Sequence, residues 1–203
     1  MDEKESLQLL ESTLPGSAAP AQGAAGPGWV YKSGRFLFKV LKEILGTVLP
    51  AIFIALVINV FVAQAMVVHG PSMQPTLYYD ERVVIEKVSY YLHEPRRGDI
   101  VVIDVPGQEE PLIKRVMALP GETVAVRSGQ VYINDEPINE PWTVQLGGPD
   151  YPPTTVPPEH VFILGDNRGH SNDSRAFGPV HMDRILGRAW LVYWPLDMLG
   201  LIR

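Results

Sequence analysis

The stretch ILGTVLPAIFIALVINVFVAQAMVV, residues 44–68, decides the fold, because it contains no charged side chain. As an α-helix rising about 1.5 Å per residue it would span roughly 37 Å, which exceeds the ~30 Å hydrocarbon core of a bilayer. A buried helix in a soluble protein is rarely apolar on all sides over this length. The stretch is therefore predicted to be a transmembrane helix.

Basic side chains flank this stretch on one side only. Lys32, Arg35, Lys39 and Lys42 precede it, whereas residues 69–80 contain no lysine or arginine. Segments rich in Lys and Arg stay on the cytoplasmic side of a membrane. The N-terminus is therefore predicted to be cytoplasmic, and the chain that follows the stretch is predicted to be exported.

The sequence AQAM, residues 63–66, has the small-x-small form of a signal-peptide cleavage site. However, the apolar core of a signal peptide is about 7 to 15 residues long and begins near the N-terminus. The apolar stretch of this chain is longer and begins only at Ile44. It is therefore predicted to be an uncleaved anchor.

Four segments are predicted along the chain. Residues 1–28 are rich in Ala, Gly, Pro and Ser and lack the large apolar side chains that offset the entropy of ordering a chain, so a disordered cytoplasmic tail is expected. Residues 29–43 form a basic juxtamembrane segment and residues 44–68 the transmembrane helix. Residues 69–203 form an extracytoplasmic β domain.

Short apolar or β-branched runs separated by turn residues fill this last segment, which is typical of a mainly β fold. The sequence RSGQ, residues 127–130, predicts a hairpin turn. The proline-rich GGPDYPPTTVPPE, residues 147–159, is expected to be an extended loop or ribbon. The predicted strands are residues 82–88, 99–105, 112–119, 123–127, 130–134, 160–166 and 185–194.

The composition excludes several classes of function. A net charge of −6 without a basic stripe argues against nucleic-acid binding. The chain contains no cysteine, which excludes disulfides, thiol nucleophiles and zinc-thiolate sites. The five histidines form neither a helical i, i+4 pair nor a zinc-like cluster, so no metal and no cofactor are expected.

Ser72 is the candidate nucleophile. It lies in VVHGPSMQPTL, residues 67–77, where Gly70, Pro71 and Pro75 stiffen a turn directly after the apolar stretch. A lone serine in such a turn is more commonly a turn residue only. Ser72 therefore needs a base that activates its hydroxyl.

Two kinds of base are open at this point. A Ser-His-Asp triad would use His170 or His181 beside Asp166 or Asp173, although no histidine lies in a distinctive local pattern. Lys114, in PLIKRVMALPGE, has apolar neighbours on both sides. A strand there would point its amine inward, and burial lowers the pKa of a lysine towards that of a general base.

A third polar cluster is GDNRGHSNDSR, residues 165–175. It follows a predicted strand and combines two Asp, two Asn, two Ser and two Arg. The simple interpretation is a polar turn held by side-chain hydrogen bonds and an Asp-Arg pair. Such a density of donors and acceptors also suits the orientation of a catalytic amine.

Four ordered motifs carry a resemblance to a known family. They are GPSMQPTL, RRGDIVV, IKRVMALPGE and GDNRGHSNDSRAFGPV, which follow one N-terminal anchor. Together they resemble type I signal peptidase, the membrane-bound Ser-Lys leader peptidase, over nearly all of residues 66–194. The resemblance implies a transmembrane helix followed by a β-rich signal-peptidase catalytic domain.

Carried over residue by residue, the resemblance makes Ser72 the acylating nucleophile and Lys114 its general base. It implies that Ser171 positions the Lys114 amine through a hydrogen bond. The backbone N–H of Ser72 would serve the oxyanion hole. Gly70 occupies the position at which some relatives carry a serine as second oxyanion donor, so this chain lacks that hydroxyl.

The resemblance also implies roles for residues around the dyad. Asp173 and Arg175 would form a supporting ion pair, and Asp166 would lie near the site. Met73 would help line the substrate-binding region, and Pro75 would shape the turn.

The implied function is removal of signal peptides from exported preproteins after an Ala-x-Ala pattern. The implied partners are signal peptides, membrane lipid beside the Ser72 turn, and the protein-export machinery. The implied location is the plasma membrane, with the thylakoid membrane as an alternative. Two other functions stay open, namely a Ser-Lys processing peptidase for another exported substrate and a membrane-anchored binding domain without catalysis.

Overall fold

The fold is taken from a computed structural model, which describes residues 28–143 and 147–202. The chain divides into two compact units, Met1–Pro50 and Ala51–Arg203. The predicted disordered tail lies outside the described residues except for Gly28. The basic juxtamembrane segment lies within helix α1, Gly28–Glu43.

One helix in the described part of the chain, Phe36–Val62, is long and apolar enough to cross a membrane. It comprises the end of α1, a π-helical turn at Ile44–Val48, helix α2 at Leu49–Val57 and a second π-helical turn at Ile58–Val62. No part of its most apolar window is buried within the protein. Such a surface is expected for a helix whose surroundings are lipid.

The predicted helix, residues 44–68, extends past the C-terminal end of the observed helix. Helical structure already begins upstream in α1, and it ends at Val62. Ala63–Val67 is strand β1, because its backbone pairs with strand β2, Arg82–Glu86, from Ala63 opposite Glu86 to Val67 opposite Arg82. Hydropathy alone does not distinguish a short apolar strand from the last turns of an apolar helix.

The second unit contains two antiparallel sheets. The first has the strand order β1-β2-β11-β3-β4-β9-β10, with β12 paired to β11, and the second has the order β7-β6-β5-β8. Two short helices, α3 (Ser89–Leu92) and α4 (Ser174–Phe177), lie in the connections. The remaining strands are β2 (Arg82–Glu86), β3 (Ile100–Ile103), β4 (Leu112–Ala118), β5 (Thr123–Arg127), β6 (Gln130–Ile133), β7 (Glu136–Pro137), β8 (Tyr151–Thr155), β9 (His160–Leu164), β10 (Val180–His181), β11 (Ile185–Trp194) and β12 (Gly200–Leu201).

The predicted mainly β fold is confirmed. All seven predicted strands are present, and β5 and β11 match their predicted ranges at both ends. The predicted hairpin turn pairs Arg127 with Gln130, and its two central residues, Ser128 and Gly129, have φ values of 48° and 82°. The proline-rich ribbon contains β8, which pairs with β5.

The first sheet is buried on both faces at its centre. Ile100 and Val102 of β3 belong to one apolar cluster, whereas Val101 and Ile103 belong to another. This alternation follows from the two-residue period of a strand. A third cluster joins Met117 and the other apolar ends of β4 and β9 to the inner face of the second sheet.

The curvature of the first sheet positions the site. Strands β2, β11 and β3 separate β1 from β4 in the sheet order. Nevertheless, Ser72, which follows β1, is hydrogen-bonded to Lys114 on β4. The sheet therefore bends into a half-barrel, and register irregularities at three places in β11 are consistent with that bend.

Candidate active site

The turn that carries Ser72 is anchored in the core on its C-terminal side. Met73 and Leu77 are 1% and 0% exposed, and the Leu77 N–H donates to the Met73 carbonyl over 2.9 Å. Gly70 has a φ of +82°, which an L-residue with a side chain adopts only under strain. The turn therefore has a fixed shape that leaves Ser72 partly exposed.

The loop after β9 holds the same turn from the other side. The backbone N–H of Asn167 donates to the Ser72 carbonyl over 3.0 Å, and its side-chain amide donates to the Pro71 carbonyl over 3.2 Å. A Cβ atom on Gly165 would lie 2.5 Å from the Ser72 carbonyl oxygen. Only a glycine at this position allows the loop to approach Ser72 so closely.

Lys114 reaches Ser72 from β4. Its Nζ lies 2.8 Å from Ser72 Oγ and donates to the Ile113 carbonyl over 2.9 Å. The side chain is almost wholly buried, with an exposed fraction of 3%. The inward direction predicted for the lysine is the observed one.

Burial lowers the pKa of Lys114 from 10.5 to about 8, although the negative charges of Asp173 and Asp166 act in the opposite direction. Desolvation has the larger effect on this pKa because it penalises the ammonium form directly, whereas the two carboxylates already have arginine partners. About a tenth of the amine is therefore neutral at pH ~7, far more than for a lysine of ordinary pKa. Neutral amine is the form that accepts a proton.

Arg115 points away from Lys114 and forms the buried ion pair behind the site. Its Nε and Nη2 donate to the two carboxylate oxygens of Asp166 over 2.8 and 2.7 Å, and both side chains are 1% exposed. Thr76, in the turn that carries Ser72, donates to the same carboxylate over 2.5 Å. Asp166 therefore connects β4, its own loop and the Ser72 turn.

Asp173 and Arg175 form a second buried pair, as the resemblance implied. Arg175 Nε and Nη2 contact the two Asp173 oxygens over 2.8 and 2.9 Å. Asp173 also caps α4 by accepting from the Arg175 backbone N–H, and it accepts from the Gly165 N–H over 3.1 Å. The pair fixes the loop that contacts Ser72.

The expected hydrogen bond between Ser171 and Lys114 is not present. Lys114 Nζ donates to Ser72 and Ile113, whereas Ser171 Oγ is buried without a partner in the part of the chain that the structure describes. A Cβ atom on Gly165 would clash with both Ser171 Oγ and the Ser72 carbonyl oxygen, so Ser171 packs closely beside the Ser72 backbone. Ser171 therefore lies beside the site, but its predicted hydrogen bond to the Lys114 amine is absent from the structure.

Met73 also differs from its predicted role. It was expected to line a substrate-binding region, but its side chain belongs to the core cluster beneath β2 and β11. An unbranched apolar side chain next to the nucleophile contributes more free energy by anchoring the turn than by facing water. Pro75 is exposed on the turn, as a residue that shapes it would be.

No histidine contacts Ser72 among the described residues. His170 is exposed and approaches Asn167 Oδ1 at 3.4 Å, whereas His181 lies beside Glu159 and Asp183. The triad alternative therefore has no base within reach of the Ser72 hydroxyl. No group of three His, Asp or Glu side chains suited to a metal ion occurs in the described segments.

Several residues of the site were not predicted from the sequence. Arg168 is fully buried, pairs with Glu140 and donates to the Gly129 carbonyl over 2.8 Å, so it connects the Ser72-contacting loop to the second sheet. Thr76 and Asn167 were also missed. Their polar side chains are ordinary turn residues in sequence, and only contacts across ninety or more positions reveal their role.

Comparisons with known proteins agree on one family. The family described as signal peptidase, peptidase S26, matches residues 41–194. A signal peptidase I of Leptolyngbya laminosa is 41% identical over 170 residues, covering 79% of this chain and 83% of that protein. A chloroplastic thylakoidal processing peptidase 1 of Arabidopsis thaliana is 33% identical over 181 residues, covering 84% of this chain and 52% of that protein.

A solved structure gives a further likeness. The crystal structure of a signal peptidase I from Enterococcus faecalis is 32% identical, covers 47% of this chain and 97% of that chain, and superposes with a TM-score of 0.42. The family match extends from within the apolar helix Phe36–Val62 to the end of β11 and includes both Ser72 and Lys114. The chain belongs to the signal peptidase family, peptidase S26.

Proposed function

We propose that this peptidase uses Ser72 as nucleophile and Lys114 as general base to cleave signal peptides from exported preproteins. The observation that carries the proposal is the 2.8 Å contact between Lys114 Nζ and Ser72 Oγ at a buried amine of lowered pKa. A nucleophile and a base within hydrogen-bond reach are the geometric requirement for acyl transfer.

In the proposed mechanism the neutral Lys114 amine takes the proton of the Ser72 hydroxyl as Oγ attacks the scissile carbonyl. The ammonium then returns that proton to the leaving amine, which leaves an acyl-enzyme. Water, activated by the same amine, then hydrolyses the ester between Ser72 Oγ and the signal peptide. This step releases the signal peptide and returns the proton to Ser72. The Ser72 N–H makes no hydrogen bond to another described residue, so it is available to the oxyanion, where one donor contributes roughly 3 kcal/mol.

The proposed substrate carries small side chains at the first and third positions before the cut, as in Ala-x-Ala. The test is incubation of the purified full chain in detergent with a preprotein whose signal peptide ends in Ala-x-Ala. Cleavage directly after that triplet is expected, and Phe in place of the final Ala should block it. Cleavage at unrelated sites would contradict this specificity.

We further propose that the helix Phe36–Val62 anchors the peptidase with its catalytic domain outside the cytoplasm. The one-sided distribution of Lys and Arg supports this topology. Beyond the Ser72 turn, Tyr79, Trp194 and Leu199 are 60%, 49% and 58% exposed, which suits contact with lipid headgroups. Protease added to intact spheroplasts should therefore digest the domain, and protection of the domain would reverse the topology. Both the plasma membrane and the thylakoid membrane fit this arrangement.

The pH dependence of cleavage should follow the Lys114 amine. Because its pKa is lowered to about 8, the active neutral form is lost as the pH falls below that value. We expect kcat/KM to drop about tenfold per pH unit on the acid side and to level off above pH ~8. A pH-rate profile measured on a short peptide checks this, and a midpoint near pH ~6.5 would instead indicate a histidine base.

Ser171→Ala tests the role implied for that hydroxyl. Because Ser171 Oγ is buried without a partner, its removal should leave the melting temperature unchanged or slightly higher. We expect kcat to fall about two- to tenfold, since Ser171 Oγ and the Ser72 carbonyl oxygen pack against the same Gly165 position and a cavity there would loosen the packing beside Ser72. Ser171→Thr keeps the hydroxyl and should retain more activity. An unaltered kcat in the alanine variant would remove Ser171 from the mechanism.

Two other functions are distinguished by simple measurements. A binding domain without catalysis would not be acylated, whereas the proposed enzyme should be labelled by a serine-reactive lactam and lose the label in Ser72→Ala. The close Lys114-Ser72 contact favours the enzyme. A peptidase for another exported substrate would be labelled but would leave the Ala-x-Ala preprotein intact.

A further inference from the structure

The C-terminal end of the membrane helix has an unusual hydrogen-bond partner. A helix leaves its last carbonyl groups without partners inside the helix, and lipid offers none. Here Lys87, at the end of β2, donates its Nζ to the Asn59 and Val60 carbonyls over 3.5 and 3.2 Å. Its backbone N–H also donates to the Val62 carbonyl over 2.9 Å. One residue therefore satisfies three carbonyls.

The charge of Lys87 fits this position. Carbonyl groups at a helix C-terminus carry partial negative charge, which an ammonium group stabilises. No carboxylate forms an ion pair with Lys87 in the described part of the chain, and the two helix carbonyls are its only side-chain acceptors there. The lysine is therefore committed to the helix end rather than to a surface salt bridge.

No linker separates the helix from the catalytic sheet. The backbone becomes extended at Ala63, which immediately opposes Glu86 in the β1-β2 ladder. Glu86 is itself held by Arg188 of β11 over 3.2 Å. The last helical turn is thus attached to the sheet through a strand on one side and the Lys87 contacts on the other.

We infer that Lys87 is a positioning residue, which fixes the orientation of the catalytic sheet on the end of the membrane helix and thereby the height of Ser72 above the bilayer. The inference rests on the proposed function, including its membrane anchor. A signal peptide held in the same bilayer presents its cleavage site at one depth. A short peptide in solution can reach Ser72 at any height of the site above the bilayer.

The test compares these two substrates on the full chain in proteoliposomes. Lys87→Met removes the amine but keeps the apolar stem, Lys87→Arg keeps a donor, and Arg96→Met is a control that removes an exposed charge elsewhere in the domain. We expect Lys87→Met to cleave a bilayer-inserted preprotein about two- to tenfold more slowly, with cleavage of the soluble peptide unchanged. Lys87→Arg and Arg96→Met should cleave both normally. Equal losses on both substrates, or no loss on either, would overturn the inference.

A second readout does not depend on activity. The chain contains no cysteine, so spin labels can be placed at Ala55→Cys and Glu94→Cys, which lie in the helix and in the domain. The distance distribution between them should be narrow in the otherwise unchanged chain and in Lys87→Arg, and clearly broader in Lys87→Met. Equal widths in all three would overturn the role of Lys87. Failure of the parent chain to cleave the preprotein would overturn the proposed function. The spin-label comparison would still test whether Lys87 fixes the sheet on the helix end.

Discussion

Replacing Lys114 with arginine is expected to reduce preprotein cleavage by about 10³-fold or more. A guanidinium stays protonated at every working pH, so it cannot accept the proton of the Ser72 hydroxyl. The amine that it replaces is buried and lies 2.8 Å from Ser72 Oγ, where no other base reaches within the described residues. Single-turnover cleavage of an Ala-x-Ala preprotein measures the loss.

Histidine variants provide the matched control for this experiment. Each of the five histidines can be replaced by alanine in turn, and each variant should retain cleavage within about threefold of the parent chain, because none contacts the dyad. Melting temperatures would identify any variant that does not fold. Near-normal activity in Lys114→Arg would contradict the proposed Ser-Lys dyad. Loss of activity in a folded His170→Ala or His181→Ala variant would favour a Ser-His mechanism instead.

Removal of the Asp166 carboxylate is expected to have the largest effect on stability. Asp166→Ala leaves the Arg115 guanidinium buried without its counter-charge and removes the acceptor of the Thr76 hydroxyl. Breaking a buried ion pair by deleting one partner costs about 3–5 kcal/mol of unfolding free energy. Urea unfolding of the detergent-solubilised chain, followed by tryptophan fluorescence, measures this loss.

Asp135→Asn is the control, because it removes the charge of a surface ion pair while Asn, like Asp, tolerates the φ of 68° at this position. Arg127 and Asp135 lie 3.8 Å apart and are 52% and 84% exposed, so water replaces the lost contact and the cost should stay below about 1 kcal/mol. A double variant, Asp166→Leu with Arg115→Met, should be less destabilised than Asp166→Ala, since no uncompensated charge remains. If Asp166→Ala costs no more than Asp135→Asn, the buried pair does not hold the site together.

The sequence was sufficient where local pattern and chemistry coincide. Alternating apolar runs predicted seven strands, since the side chains of a strand alternate between two faces regardless of what packs on them. The sequence RSGQ predicted the hairpin between β5 and β6, because only a few residue types adopt the positive φ values found at Ser128 and Gly129. The family motifs singled out Ser72 and Lys114 as the candidate pair, and the lysine is a type seldom found at a buried strand position.

Tertiary structure alone decided the remaining features. Ala63–Val67 resembles the rest of the apolar stretch in hydropathy, and it is a strand because β2 offers a partner ladder. Met73 is a core anchor because it packs beneath β2 and β11, and Ser171 Oγ lacks its expected hydrogen bond to Lys114, whose amine contacts Ser72 and Ile113 instead. Asp166, Arg115 and Thr76 converge from three segments distant in sequence. Composition and spacing fix which groups are present, but the curvature of the sheet and the burial it creates fix which of them come within hydrogen-bond distance and lose their water.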